Sequence, residues 1–229
     1  MLEMGLYANE NGMARSFSTA GAIDPNGLFF KPFGNGRSCA SCHRPEDGFS
    51  ITTANLQARL DASKGDDPIF ALNDGANSPL ARFTNLDEKQ SAFSLLLNKG
   101  LIRVGMKIPE DAEFELVKAD DPYHYANSKE LSLFRRPLPS ANLKFASTVM
   151  WDGRETLSDS SSRDCIANRG CFAAMDKNLA HQANSATMGH AQAAQGLSAS
   201  EQKAIVDFEK TLISAQVYDG NAGFAAGNR

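Results

Sequence analysis

Asn35-Gly36-Arg37-Ser38-Cys39-Ala40-Ser41-Cys42-His43 is the stretch around which this chain is organised. Its last five residues form Cys-x-x-Cys-His, the attachment pattern of a c-type haem. Two thiols at that spacing can add across the two vinyl groups of a porphyrin, while the histidine that follows sets an imidazole nitrogen over the iron. Cys39 and Cys42 are therefore the candidate tethers of one covalent haem c, and His43 is its candidate proximal ligand.

Two other chemistries use paired cysteines, and both ask for different surroundings. A zinc site needs a second ligand pair, but the only other cysteines, Cys165 and Cys171, have no histidine at finger spacing. A thioredoxin-like redox pair follows a buried strand and opens a helix, whereas Lys31-Pro32-Phe33-Gly34-Asn35-Gly36 is loop chemistry. Cys165-Ile-Ala-Asn-Arg-Gly-Cys171 can close a small disulfide loop in an oxidising compartment or stay as two reduced cysteines.

Outward from the haem stretch, the chain reads mostly as helix. Residues 1–38, rich in Gly, Asn and Ser, read as a short helix and a long loop leading into the turn. Pro45 stops any helix after His43. Thr53 to Ser63 is helical, with Leu56 and Leu60 on one face and Gly65 as a stop. A second helix runs from Leu86 to Lys99, with Asn85 as cap, Glu88 three residues on, and Gly100 closing it. Leu101 to Val104 and Glu113 to Val117 alternate apolar and polar residues about a Pro-Glu-Asp turn, which predicts a small hairpin. Residues 120–140 read as irregular, and Arg135 and Arg136 within them are candidates to pair with the haem propionates, since a guanidinium matches a carboxylate in two places. Residues 158–178 read as a polar surface insertion. Leu179 to Ala194 is compatible with helix, and Ser198 to Ala215 is the clearest helix, with a Ser198/Glu201 capping box and Ile205, Phe208, Leu212 and Ala215 on one face. Residues 217–229 read as a flexible tail or linker.

The fold expected is mainly α: a single cytochrome c-like helical haem domain over residues 1–216 with a small inserted β-hairpin. With 229 residues, 42% of them hydrophobic, the chain can bury a real core. A net charge of -4 argues against nucleic acid or an anionic membrane surface as partner. No apolar run reaches the length of a membrane span, and the polar start from Met1 to Met13 has no signal-peptide core. Because c-type haem is attached outside the cytoplasm, a processed or trimmed form of a periplasmic or otherwise exported protein is expected.

Met150-Trp151-Asp152-Gly153-Arg154-Glu155, the haem stretch, Arg136-Pro137-Leu138-Pro139-Ser140-Ala141-Asn142 and residues 179–192 together carry a resemblance. They resemble the N-terminal half of bacterial dihaem cytochrome c peroxidases and their MauG-type relatives. The resemblance implies that Trp151 lies between haems and mediates electron transfer, and that Gln182 sits on the distal side of a peroxidatic haem. It also implies a second haem domain as a partner. The family's catalytic glutamate, about ten residues after that glutamine, has no counterpart here, where His190 and Gln192 stand. Since the resemblance sets the segment after Gln182 above the distal face, His190 is the first candidate for sixth iron ligand, ahead of Met188 and Met150. The function expected is one-electron transfer with a redox partner protein. The alternative is a peroxidase-like oxidoreductase reducing hydrogen peroxide, which needs an open sixth position and an acid/base group above it.

Overall fold

The computed structural model describes residues 6–156 and 174–224. The chain divides into two compact units, Met1–Ser50 with Leu138–Arg229, and Ile51–Pro137. About 32% of the described residues are helical and 18% are strand, in two antiparallel sheets. The mainly α, cytochrome c-like expectation is therefore wrong, and the fold is mixed α/β.

In the first unit, β1 (Leu6–Asn9) and β2 (Gly12–Ser18) form a hairpin in which Asn9 opposes Gly12 across the Glu10-Asn11 turn. The expected N-terminal helix is replaced by this hairpin, because Tyr7, Met13 and Phe17 serve a pleated strand as well as a helix face and Glu10-Asn11 supplies the turn, with Gly12 opening β2. Gly12 has φ +140, and a side chain on it would overlap the backbone of Tyr218. Strand β2 pairs along its other edge with β5 (Leu212–Asp219), with Met13 opposite Tyr218 and Phe17 opposite Ile213, and β6 (Gly223–Phe224) completes the order β1-β2-β5-β6. The residues expected as tail thus include the end of β5 and all of β6.

Two helices complete this unit. Helix α4 (Met175–Gly189) buries Met175, Leu179, Ala183 and Thr187, a spacing of three or four residues that keeps one face inward. Helix α5 (Ala199–Thr211) starts on Ser198, whose side chain accepts from Glu201 N–H while Glu201 reaches back. It ends at Thr211, earlier than its periodicity suggested. Leu212 and Ala215 fit a helix face, but Leu212-Ile213-Ser214-Ala215-Gln216-Val217 alternates equally well, and pairing with β2 decides for strand. The core joins Ile23, Phe29, Phe49, Ala141, Ala183, Leu197, Ile205 and Leu212, with Cys39 packed against it. A second cluster of Val149, Met175, Leu179 and Val206 lies between the α4 and α5 faces and the chain before Met150.

In the second unit, α1 (Thr53–Ser63) is capped by the Thr52 side chain and buries Leu56 and Leu60. Lys64 and Gly65 follow in left-handed conformation, the stop that Gly65 signalled. The stretch expected as one helix is two, α2 (Leu86–Ala92) and α3 (Ser94–Lys99), joined at Phe93. Phe93 is fully buried, with an edge contact to Phe70 at 5.5 Å and a tilted one to Phe83 at 5.6 Å, so its ring holds the joint. The expected hairpin has the wrong second strand. Strand β3 (Ile102–Met106) pairs with β4 (Leu131–Arg135), Val104 facing Leu133, while residues 113–117 form no regular structure. Leu131-Ser132-Leu133-Phe134 alternates as a strand should, but three neighbouring prolines and polar surroundings hid it.

Among the described residues, no helix is long and apolar enough to cross a membrane. Cys165, Cys171 and most of the expected surface insertion lie outside the described residues.

Candidate haem-binding site

The site begins as a tight turn. Cys39–Ser41 is a single 3-10 turn capped by Ser38, whose N–H donates to the Ser41 hydroxyl at 3.0 Å. The Cys39 carbonyl then accepts from both Cys42 N–H (3.2 Å) and His43 N–H (2.9 Å), so Cys39 and His43 stand one turn apart. Neither Cys39 nor Cys42 is in a disulfide.

His43 is oriented by the loop after it. Gly48 (φ 68) and Phe49 (φ 59) both take left-handed backbone, unusual for a phenylalanine, and the buried Phe49 ring holds it there. The reversal aims the Phe49 carbonyl at His43, whose Nδ1 lies 3.0 Å away. A carbonyl only accepts, so Nδ1 carries the proton and Nε2 keeps the lone pair that an iron would take. This is the arrangement in which an outer hydrogen bond fixes the tautomer and ring orientation of a metal-binding histidine. The same carbonyl accepts from Ser140 N–H at 2.9 Å.

The residues before the turn dock on the end of α4. Asn35 N–H donates to the Ala191 carbonyl (2.8 Å), and Asn35 Nδ2 reaches the His190 carbonyl (3.0 Å) and Gln192 Oε1 (3.2 Å). Arg37, only 3% exposed, donates from Nη1 to the His190 carbonyl at 3.2 Å. A Cβ on Gly34 would overlap the Ala191 and Gln192 carbonyls, so the backbones meet only because that residue is glycine. His190, half-buried, closes α4 with its N–H on the Ala186 carbonyl. Burial holds the His43 pKa below the usual imidazole value, opposed by the Phe49 and Leu138 carbonyls, and the charge of a protonated His190 lowers it further. The sequence candidates His43 and His190 are thus brought within electrostatic reach of each other.

An acid that the sequence reading passed over lies beside the first tether. Glu209 on α5 is 5% exposed, and its pKa is pushed up to about 7 by burial, which outweighs the Ser140 hydroxyl on its carboxylate. Its Oε2 has no hydrogen-bond partner among the described residues. Burial, then the charge of Glu209, then Cys42, push the Cys39 thiol up to about 12. The signal was present: Glu209 stands four residues after Ile205, on the apolar stripe of its own helix. Arg37 was likewise in view, inside the quoted stretch.

The other candidates lie elsewhere. Trp151 is 63% exposed in a turn from left-handed Met150 to Gly153, followed by an Asp152–Arg154 ion pair at 3.0 Å. Glu155 pairs with exposed His181 at 2.6 Å, which ties that turn to α4. Gln182 is half-buried on α4, next to His181. Arg135 and Arg136 belong to the second unit, where Arg135 faces Ile102 on the β3–β4 ladder and Arg136 donates to the Lys99 carbonyl at 3.1 Å. Of the other donors, Met175 is core, Met150 packs beside it, Met188 is exposed, and His124 sits at φ 54 in a loop of the second unit.

These residues fit a covalent haem: two thiols outside any disulfide, an imidazole with a fixed tautomer, and a second imidazole nearby. Among the described residues no group of three or more His, Cys, Asp or Glu side chains converges as a metal cage. A haem iron needs none, since the porphyrin supplies four ligands and the protein one or two. Comparisons with protein-family models, curated proteins and solved structures return no match for this chain.

Proposed function

We propose that this chain is a c-type haem protein of an exported compartment, carrying one haem on Cys39 and Cys42 and exchanging single electrons with a redox partner protein. The observation that carries the reading is the His43 imidazole, one turn from Cys39, with Nδ1 committed to the Phe49 carbonyl. The cofactor would supply the Fe(III)/Fe(II) couple. The chain's own residues fix the proximal ring through the Phe49 carbonyl and pack the Phe29 and Phe49 rings in the core that holds Cys39. A thiol–disulfide function is disfavoured, because redox cysteines are activated by a lowered pKa and that of Cys39 is raised to about 12.

His190, within electrostatic reach of His43, would as a second axial imidazole fill the sixth position and favour electron transfer over peroxide reduction. Trp151, exposed near α4, suits an electron exit toward a partner, and relatives of the dihaem peroxidases are the family proposed by resemblance. The test is the matured protein. Haem should stay with the polypeptide through acid extraction into organic solvent, and the ferric spectrum should be low-spin. His190→Ala should turn it high-spin and open it to added peroxide. Haem that washes out defeats the reading, and an unchanged low-spin spectrum in His190→Ala moves the sixth ligand to another donor.

A further inference from the structure

Glu209 is a carboxyl in an apolar core with one oxygen that has no hydrogen-bond partner among the described residues, and such a group is costly unless it does something. Its surroundings connect it to the proximal histidine without touching that ring. The carboxylate accepts from the Ser140 hydroxyl, the Ser140 N–H donates to the Phe49 carbonyl, and that carbonyl accepts from His43 Nδ1–H. On the other side its charge is felt at Cys39, the tether itself.

We infer that Glu209 is the redox-linked proton site of the haem pocket, binding one proton from water when the haem gains an electron and releasing it on oxidation. The inference rests on the haem reading above. Reduction adds one electron, from the partner protein, and removes one unit of positive charge from the pocket. A carboxylate buried near that centre loses the attraction that kept it ionised, so it takes a proton and the charge of the pocket is unchanged. The balance is one electron and one proton in, the same out, with no other reactant.

Among the described residues, Arg37 before the haem turn is buried and donates to the His190 carbonyl, His190 at the end of α4 bears on His43, and the other charges on the packed elements are exposed or hydrogen-bonded. The 28–30 turn offers only Leu28, Phe29 and Phe30, and the haem turn offers Cys39 and Cys42, with His43 beyond Ser140 and Phe49. On the 143–145 turn, Lys144 is exposed over the Phe145 ring. On α4, Asp176 pairs with Lys210 at 2.6 Å and His181 with Glu155, and on α5 Lys203 pairs with Asp207 at the surface. Burial already places the Glu209 midpoint near neutrality, where a modest change in the neighbouring charge moves its protonation most.

The experiment is a spectroelectrochemical titration of the full matured protein from acid to alkaline pH, with Glu209→Gln alongside. In the native protein the midpoint potential should fall as pH rises through neutrality, approaching the full coupling of one proton per electron, ~59 mV for each tenfold change in proton concentration. Glu209→Gln should be flat over that window. A reduced-minus-oxidised infrared difference spectrum of the native protein should also gain the C=O stretch of a protonated carboxylic acid. That measurement stands if the variant fails to fold. A native potential independent of pH, a slope that survives Glu209→Gln, or no carboxylic acid band overturns the inference while leaving a haem that resists extraction in place. Haem that washes out overturns both.

Discussion

At the scale of single residues, two buried ionisable groups give the protein opposite responses to pH. Glu209 keeps its proton in the fold up to about 7 but loses it near 4.5 when unfolded. Between those values the folded state binds more protons, so stability falls as pH rises, by about 3 kcal/mol in all at ~1.4 kcal/mol per unit. His43 works the other way: neutral in the fold, it cedes stability on the acid side, where the unfolded imidazole takes a proton as pH falls through 6.5. Glu209→Gln should therefore stabilise the protein by about 3 kcal/mol at pH 8 and far less near pH 4.5, read from urea midpoints at the two values. Equal gains at both would assign the effect to packing. Cys39, Cys42 and His43 stand out because Cys-x-x-Cys-His is written in consecutive residues. Glu209 does not, since a helical stripe of Ile205, Phe208 and Leu212 reads as core whatever else shares it, and only the fold brings it to Cys39.

At the scale of elements, the loop before Cys39 and the end of α4 form one joint whose tightness depends on Gly34. Gly34→Ala would push the loop off the Ala191 and Gln192 carbonyls, with an expected loss of about 1–3 kcal/mol in thermal unfolding. Because Asn35 and Arg37 hold the His190 carbonyl through that joint, the variant should also show a high-spin fraction in its ferric spectrum. A lowered midpoint with an unchanged spectrum would mean that the joint is structural and His190 is not positioned by it. Local signals served well where they were complete: Asn85 and Ser198 each cap the helix they announced. They failed where an element is fixed by a distant partner. Nothing near Leu212 tells a strand from the last turn of a helix, and nothing near Ile102 says that its partner is Leu131–Arg135 rather than the nearer 113–117.

At the scale of the whole molecule, the chain leaves the first unit after Ser50 and returns at Leu138, and Ser140 reaches back to Phe49 at 2.9 Å. The points of departure and return are thus adjacent, as insertion of one compact unit into another requires. Replacing residues 51–137 by a short Gly/Ser linker should leave a protein that keeps covalent haem and a low-spin spectrum; loss of both would show that the first unit does not stand alone. Neither unit was visible as such in the sequence, because no composition shift or linker marks Ser50 or Leu138. The pairing of β2 with β5 carries a last consequence, one of timing. Strand β2 precedes its partner β5 by almost the whole described chain, so the sheet stays open until residue 219 has been made. Contacts between residues so far apart form late. Until α5 and β5 arrive, Cys39 has no Ile205 or Leu212 to cover it and no Glu209 beside it. The nascent chain therefore presents its thiols uncovered first and encloses them afterwards, an order of events that suits attachment of a cofactor before the pocket closes over it.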